Sequence, residues 1–137
     1  MWQTNIYTDA AYTKTHVFVA AVIIDPELGN YALSEVIEYT ATSSCEAEYL
    51  GLIFGIKQLL KMHSNRPVKF LCDNDAVVNQ IKKLYAVKSK DLLKVYNAAE
   101  VLWNSIPAHK KIVYILGKLN LADRHTRSLK RKYIKND

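Results

Sequence analysis

Asp9, Glu48, Asp73 and Asp123 are the residues of this chain best placed for chemistry, because each stands where a strand pattern ends or a helical pattern begins. Asp9 closes the short apolar pattern Ile6-Tyr7-Thr8, and Asp73 closes Val68–Cys72. Glu48 falls in the first turn of a helical pattern, and Asp123 opens the last one. Open α/β sheets collect ligands outside the carboxyl ends of their strands. One such acid taken alone more usually caps a helix or lies on the surface; four at corresponding ends point to a shared site. If the first and fourth strands are parallel neighbours, Asp9 and Asp73 come side by side. Clustered carboxylates repel one another unless hard cations neutralise them, and oxygen donors of this kind suit Mg²⁺ or Mn²⁺. Two such ions roughly 3.5–4 Å apart would activate a water and stabilise the leaving oxygen of a phosphodiester.

Other chemistries find no foothold. His16, His63, His109 and His125 share no ligand spacing with Cys45 or Cys72, so zinc is not expected, and two cysteines make no disulfide framework. The four glycines form neither a phosphate loop nor a dinucleotide-binding turn, and Ser43 and Ser44 lack the setting of an acyl-enzyme nucleophile.

The elements that must position the four acids follow from periodicity. Val17–Ile24 is a continuous apolar run, read as a strand buried on both faces, and Asp25-Pro26-Glu27-Leu28-Gly29-Asn30 is turn chemistry. Tyr31–Tyr39 alternates and completes a hairpin. From Ser44 to His63 the apolar residues Tyr49, Leu52, Ile53, Ile56, Leu59 and Leu60 recur at helical spacing, and Ser43 with Glu46 makes a capping box that sets the helix start. Glu46 and Glu48 lie about 200° apart around that helix, so one starts it and the other, on the stripe with Leu52, Gly55 and Leu59, faces the sheet. Val68–Cys72 is a strand, Ala76–Tyr85 and Asp91–Ser105 are helices, Lys111–Leu116 a strand and Leu121–Tyr133 a terminal helix. The order β-β-β-α-β-α-α-β-α implies an α/β fold with a mixed five-stranded sheet and helices on its faces, as one domain over residues 1–137.

Tyr7-Thr8-Asp9-Ala10, Ala47-Glu48-Tyr49, Cys72-Asp73-Asn74 and Asn120-Leu121-Ala122-Asp123 resemble, in order and spacing, the four motifs of type 1 ribonuclease H. The match runs from Ile6 to about Leu129, and its detail is similar to the ribonuclease H domains of copia-type retroelements. Ser43-Ser44-Cys45-Glu46-Ala47-Glu48-Tyr49 and Ala122-Asp123-Arg124-His125-Thr126-Arg127 carry that detail. The resemblance implies a ribonuclease H-like fold and hydrolysis of the RNA strand of an RNA–DNA hybrid, leaving a 5′-phosphate, with two Mg²⁺ ions for which Mn²⁺ can substitute. It carries metal ligation and catalysis onto Asp9, Glu48, Asp73 and Asp123, and substrate contact onto Ser43, Ser44, Asn74 and Lys118. Ala10 and Ser43-Ser44 stand where cellular members have a Gly and an Asn pair; the serine hydroxyls can still bond 2′-hydroxyls. The loop Leu116-Gly117-Lys118-Leu119-Asn120 lacks the His of many members, and Lys118 is expected to contact a phosphate there. His125, on another helix face, is not expected to replace it.

Composition agrees with a polyanionic partner. The chain has 137 residues and a formal charge of +6, with half its residues hydrophobic. Lys110, Lys111, Lys118, Arg124, Arg127, Lys130, Arg131, Lys132 and Lys135 crowd the C-terminal end, a pattern that suits phosphates or, more plainly, a solvated helix end. The Lys-rich turn Lys82-Lys83…Lys88…Lys90 reads as solvated, and Trp2 and Trp103 as packing residues. The longest apolar run is far below the roughly 20 residues of a membrane helix, and no signal peptide opens the chain. The expectations are a monomeric cytoplasmic domain with buried, reduced thiols and no membrane. With Met1 eight residues before Asp9, no hybrid-binding domain is expected ahead of it. Two alternatives stand beside the ribonuclease: a ribonuclease H fold that binds nucleic acid without cutting, and a related nuclease acting on DNA.

Overall fold

Long β-branched runs in the N-terminal third build three successive strands: β1 (Thr4–Tyr12), β2 (His16–Asp25) and β3 (Gly29–Glu38). Each pairs antiparallel with the next, and Gly29 at φ +91° supplies the left-handed residue that the β2–β3 turn requires. The computed structural model describes residues 2–135; Met1, on which the expectation of no preceding domain rests, lies outside them, as do Asn136 and Asp137. Helix α1 (Ser44–Lys61) follows, then β4 (Val68–Cys72), α2 (Asp75–Ile81), α3 (Lys90–Asn104), β5 (Lys110–Tyr114), a 3₁₀ turn at Gly117–Leu119, and α4 (Asp123–Lys135).

The sheet order is β3-β2-β1-β4-β5, with β1 parallel to β4 and β4 parallel to β5, so the sheet is mixed as its sequence implied. Helices α1 and α3 pack together on one face, while α4 crosses β1, β2 and β3 on the other. That double cover explains why Val17, Phe18, Val19, Ala20 and Ala21 are all fully buried. At the end of the sheet remote from the acids, buried Asp25 accepts from Thr4 Oγ1 at 2.8 Å and pairs with Arg66, tying the β2–β3 turn to the entry of β4.

Two elements differ most from their sequence patterns, while β5 ends two residues early at Tyr114 and α4 starts two residues late at Asp123. β1 spans nine residues rather than the three of Ile6–Thr8, because its ladder with β2 continues to Tyr12 beyond its pairing with β4, which ends at Thr8. Helix α2 ends at Ile81 rather than continuing to Tyr85, since Lys83 turns into the left-handed region at φ +66°. Lys83 there pairs with Glu100 and Tyr96, so part of the Lys-rich turn is held to α3. Trp103 packs at a tilt against Phe70 in the core, and exposed Trp2 lies under the Arg66 guanidinium at the surface. Cys72 is buried as expected, whereas Cys45 is only partly so. No described helix is long and apolar enough to cross a membrane.

Candidate active site

The register of β1 on β4 brings the first two acids together. Thr8 is level with Cys72 in the parallel pair, so the next residues along, Asp9 and Asp73, emerge side by side at the carboxyl end. Helix α1 brings the third. It lies unusually close to β1: a Cβ at Gly51 would stand 2.8 Å from the Asp9 carbonyl oxygen, and one at Gly55 would stand 2.5 Å from Thr8 Cγ2. That approach lays Glu48, one turn before Gly51 and two before Gly55, over the strand end, where its Oε1 accepts from Ala10 N–H at 3.3 Å. Asp9, Glu48 and Asp73 each present a carboxylate oxygen within 4.8 Å of the others, the one such cluster among the described residues.

The cluster is electrostatically uncomfortable. Asp9 is 4% and Glu48 7% exposed, and Glu48 Oε2 is buried with no hydrogen-bond partner. An ionised oxygen without a partner in such a place is costly. Burial, with the Asp73 charge adding to it against a bond from Thr126, pushes Asp9 up to about 6. Burial first, and then the charges of Asp9 and Asp73, raise Glu48 well above the usual carboxylate range. Asp73 is raised too, by burial ahead of the Asp123 charge, while a bond from Asn120 opposes the shift. Three hard oxygen donors, one of them orphaned, fit a divalent cation such as Mg²⁺ or Mn²⁺.

The fourth acid stands beside the cluster. Asp123 opens α4, and its carboxylate pairs with Arg127 at 2.7 Å, one turn on. Its charge reaches Asp9 and Asp73, yet it is not among the three clustered residues.

Glu46 has a separate task. Ser43 caps α1 by accepting from Glu46 N–H at 3.2 Å, as the capping box predicts. The return bond differs. Glu46 Oε1 reaches Thr42, accepting from its amide at 2.6 Å and its hydroxyl at 3.2 Å, rather than the Ser43 amide. Glu46 Oε2 accepts from Tyr39 OH, so this buried carboxylate also fastens the end of β3 to α1.

The substrate candidates are less uniform. Ser44 is exposed and Ser43 half-buried in its capping role. Asn74 caps α2, its Oδ1 accepting from Val77 N–H at 3.1 Å and its amide lying against Cys45 Sγ. Lys118 is exposed on the 3₁₀ turn, where it lines an open groove with Asp123, Arg124, His125 and Arg127.

Two residues of the C-terminal motif have tasks that the sequence alone does not assign them. Asn120 is buried, donates to the Thr8 carbonyl at 2.9 Å and accepts from Ala122 N–H at 3.0 Å, fixing the start of α4 on the end of β1. Thr126, also buried, donates from Oγ1 to Asp9 Oδ2 at 2.7 Å. Thr126, an uncharged hydroxyl residue between Arg124 and Arg127 one turn after Asp123, is the sequence signal for the second of them. Gly51 and Gly55, spaced one turn apart on the Glu48 stripe, are the matching signal for the close helix–strand approach.

A family model described as reverse transcriptase-like matches residues 8–110, taking in Asp9, Glu48 and Asp73 and stopping short of Asp123. Among solved structures, the chain is similar to LC11-RNase H1, isolated from compost by a metagenomic approach: TM-score 0.83, 23% identity, 98% of this chain and 99% of that one. LC11-RNase H1 in complex with an RNA/DNA hybrid matches with TM-score 0.80 and 20% identity over 96% and 99% of the two chains. The N-terminal ribonuclease H domain of rv2228c from Mycobacterium tuberculosis matches with TM-score 0.76 and 22% identity over 97% and 99%. At these identities the likeness is one of fold, and it covers β5 and α4 as well. No curated protein sequence matches the chain.

Proposed function

The chain belongs to the reverse transcriptase-like family and has the fold of type 1 ribonuclease H, and from that premise we propose that it is a metal-dependent endonuclease cutting the RNA strand of RNA–DNA hybrids. The observation that carries the reading is the Asp9–Glu48–Asp73 cluster at the end of the central strands, with Glu48 Oε2 buried and unpartnered.

Asp9, Glu48 and Asp73 would hold the cation, with Asp123 as a fourth ligand from α4. Bound there, Mg²⁺ or Mn²⁺, as a pair of ions, would neutralise the carboxylates, activate water and stabilise the leaving oxygen. The chain's own part is to hold those acids in place without their own solvation, so that little rearrangement accompanies loading. Ser44, exposed at the start of α1, is free to bond a 2′-hydroxyl, the group that marks RNA. Ser43 keeps an oxygen on Glu46 N–H and still has its hydroxyl proton to give. Lys118 and the basic face of α4 supply phosphate contacts, and Asn74 stands at the same end of the sheet, at the start of α2. A monomer acting on a hybrid, away from membranes and in the cytoplasm, is part of this reading.

A catalytically silent hybrid-binding module is the second reading, and the Asp123–Arg127 pair favours it, because that pair leaves three acids in the cluster rather than four. One experiment separates them. Labelled RNA–DNA hybrid, double-stranded RNA and DNA are each incubated with the protein in Mg²⁺, Mn²⁺ or EDTA. The ribonuclease cuts only the RNA of the hybrid, leaves 5′-phosphates, and falls silent in EDTA and on Asp73→Asn. Binding of hybrid without cutting selects the silent module, cutting of DNA selects a different nuclease, and cutting in EDTA overturns the metal chemistry.

A further inference from the structure

We propose that Thr126 is a positioning residue for cation binding: its hydroxyl holds the Asp9 carboxylate in the cluster against repulsion from Glu48 and Asp73. The proposal rests on the metal-dependent reading above and concerns a residue that touches neither substrate nor cation.

Thr126 lies in the first turn of α4, 1% exposed, and is the one fully buried residue of that described helix. Its Oγ1 stands 2.7 Å from Asp9 Oδ2 and 2.9 Å from the Asp123 carbonyl oxygen. A threonine hydroxyl has one proton to give. The shorter contact goes to the carboxylate, and a hydrogen bond to a charged acceptor is the stronger of the two. The proton therefore serves Asp9. The two residues are 117 positions apart, so the bond joins the first strand to the last helix.

Three like charges at the strand ends relax most easily if one carboxylate rotates away. Asp9 leaves β1 on the face that α4 covers, since Ile6 and Thr8, alternate residues of the strand, meet α1 at Gly55. With Oδ2 committed to Thr126, swinging the side chain away about Cα–Cβ would break that bond, so the carboxylate stays with its neighbours. Asn120 makes the arrangement rigid, because its bonds to the Thr8 carbonyl and the Ala122 amide seat α4 one turn ahead of Thr126. A helix buried only for packing would place Leu or Ile there; a hydroxyl aimed at a carboxylate is the choice for holding a ligand.

The test compares Thr126→Val, which keeps the shape and loses the proton, with Thr126→Ser, which keeps the proton. Mn²⁺ binding to the substrate-free protein is measured by calorimetry, alongside melting in EDTA and the Mg²⁺ dependence of hybrid cleavage. Thr126→Val is expected to weaken Mn²⁺ binding by about tenfold or more. It should raise the half-saturating Mg²⁺ concentration by a similar factor while kcat at saturating metal changes far less. Thr126→Ser should stay within about twofold of wild type. If Thr126→Val does not fold, Thr126→Ala, smaller and equally without a donor, carries the same comparison. Unchanged Mn²⁺ affinity in the folded donor-less variant overturns the proposal, as does a Thr126→Ser defect as large, which would assign the effect to packing. Absence of Mn²⁺ binding by wild type overturns the metal reading and this proposal together, so the two failures are distinct.

Discussion

Asp9→Asn should make the metal-free protein more stable while removing its activity. Asp9 sits at about 6 in the fold against 3.8 for the ordinary group. An acid raised by folding contributes its full favourable share only while protonated in both states, below about pH 4, and that share is lost as pH rises to about 6. Each pKa unit is 1.36 kcal/mol, so a shift of about two units costs the folded state on the order of 2–3 kcal/mol at neutral pH. Asparagine removes that cost and still offers Thr126 an acceptor through its amide oxygen. At about 4 °C per kcal/mol for a domain of this size, the variant should melt roughly 8–12 °C higher in EDTA at pH 7. Wild type should lose stability between about pH 4 and 6, and the variant less; the rises at Glu48 and Asp73, caused first by burial, act in the same direction and persist in the variant. Saturating Mg²⁺ should narrow or reverse the difference, because binding at a hundred times Kd adds about 2.7 kcal/mol to wild type. Thermal melts across pH 3.5–8, with EDTA or Mg²⁺, read all of this. A lower melting temperature for Asp9→Asn in EDTA at pH 7, or a flat wild-type profile from pH 4 to 6, would refute the electrostatic account of the cluster.

Glu48→Gln should abolish cleavage of labelled hybrid without lowering the melting temperature, since it removes a buried charge whose Oε2 has no partner. Glu46→Ala should cost about 1–2 kcal/mol by thermal melting, because it removes the shared acceptor of the Thr42 amide and the half-buried Tyr39 hydroxyl; a loss under 0.5 kcal/mol would show the bonds to be solvent-replaceable. Gly51→Ala meets backbone rather than a movable side chain, so it should cost about 1–3 kcal/mol and reduce Mn²⁺ affinity by lifting Glu48 from β1; a neutral effect in both assays would mean that α1 does not set the site. Replacing exposed Arg131, Lys132 and Lys135 together with half-buried Lys130 should flatten the salt dependence of hybrid binding by about one unit of slope for each phosphate no longer neutralised; an unchanged slope would return α4's end to plain solvation.

Local chemistry makes much of this protein legible in its sequence. The bounds of β4, the turn at Gly29, the Ser43 cap and the separate tasks of Glu46 and Glu48 all follow from residues within one or two helical turns of each other. Strand alternation and helix periodicity are short-range rules, so short windows carry the existence and order of the elements, though not every boundary. The side-by-side placement of Asp9 and Asp73 needed one further assumption, that β1 and β4 are parallel neighbours, and the register bears it out. The early end of α2 was hidden because Lys83 takes a left-handed backbone with no glycine to announce it. What only the tertiary structure decided is how the acids are held. Thr126 reaches Asp9 across 117 residues, Asn120 reaches Thr8 across 112, and Asp123 turns to Arg127 beside the cluster. These contacts depend on how closely α1 and α4 approach the two faces of β1. That distance is fixed by the absence of side chains at Gly51 and Gly55 and by buried polar bonds, which no periodicity records.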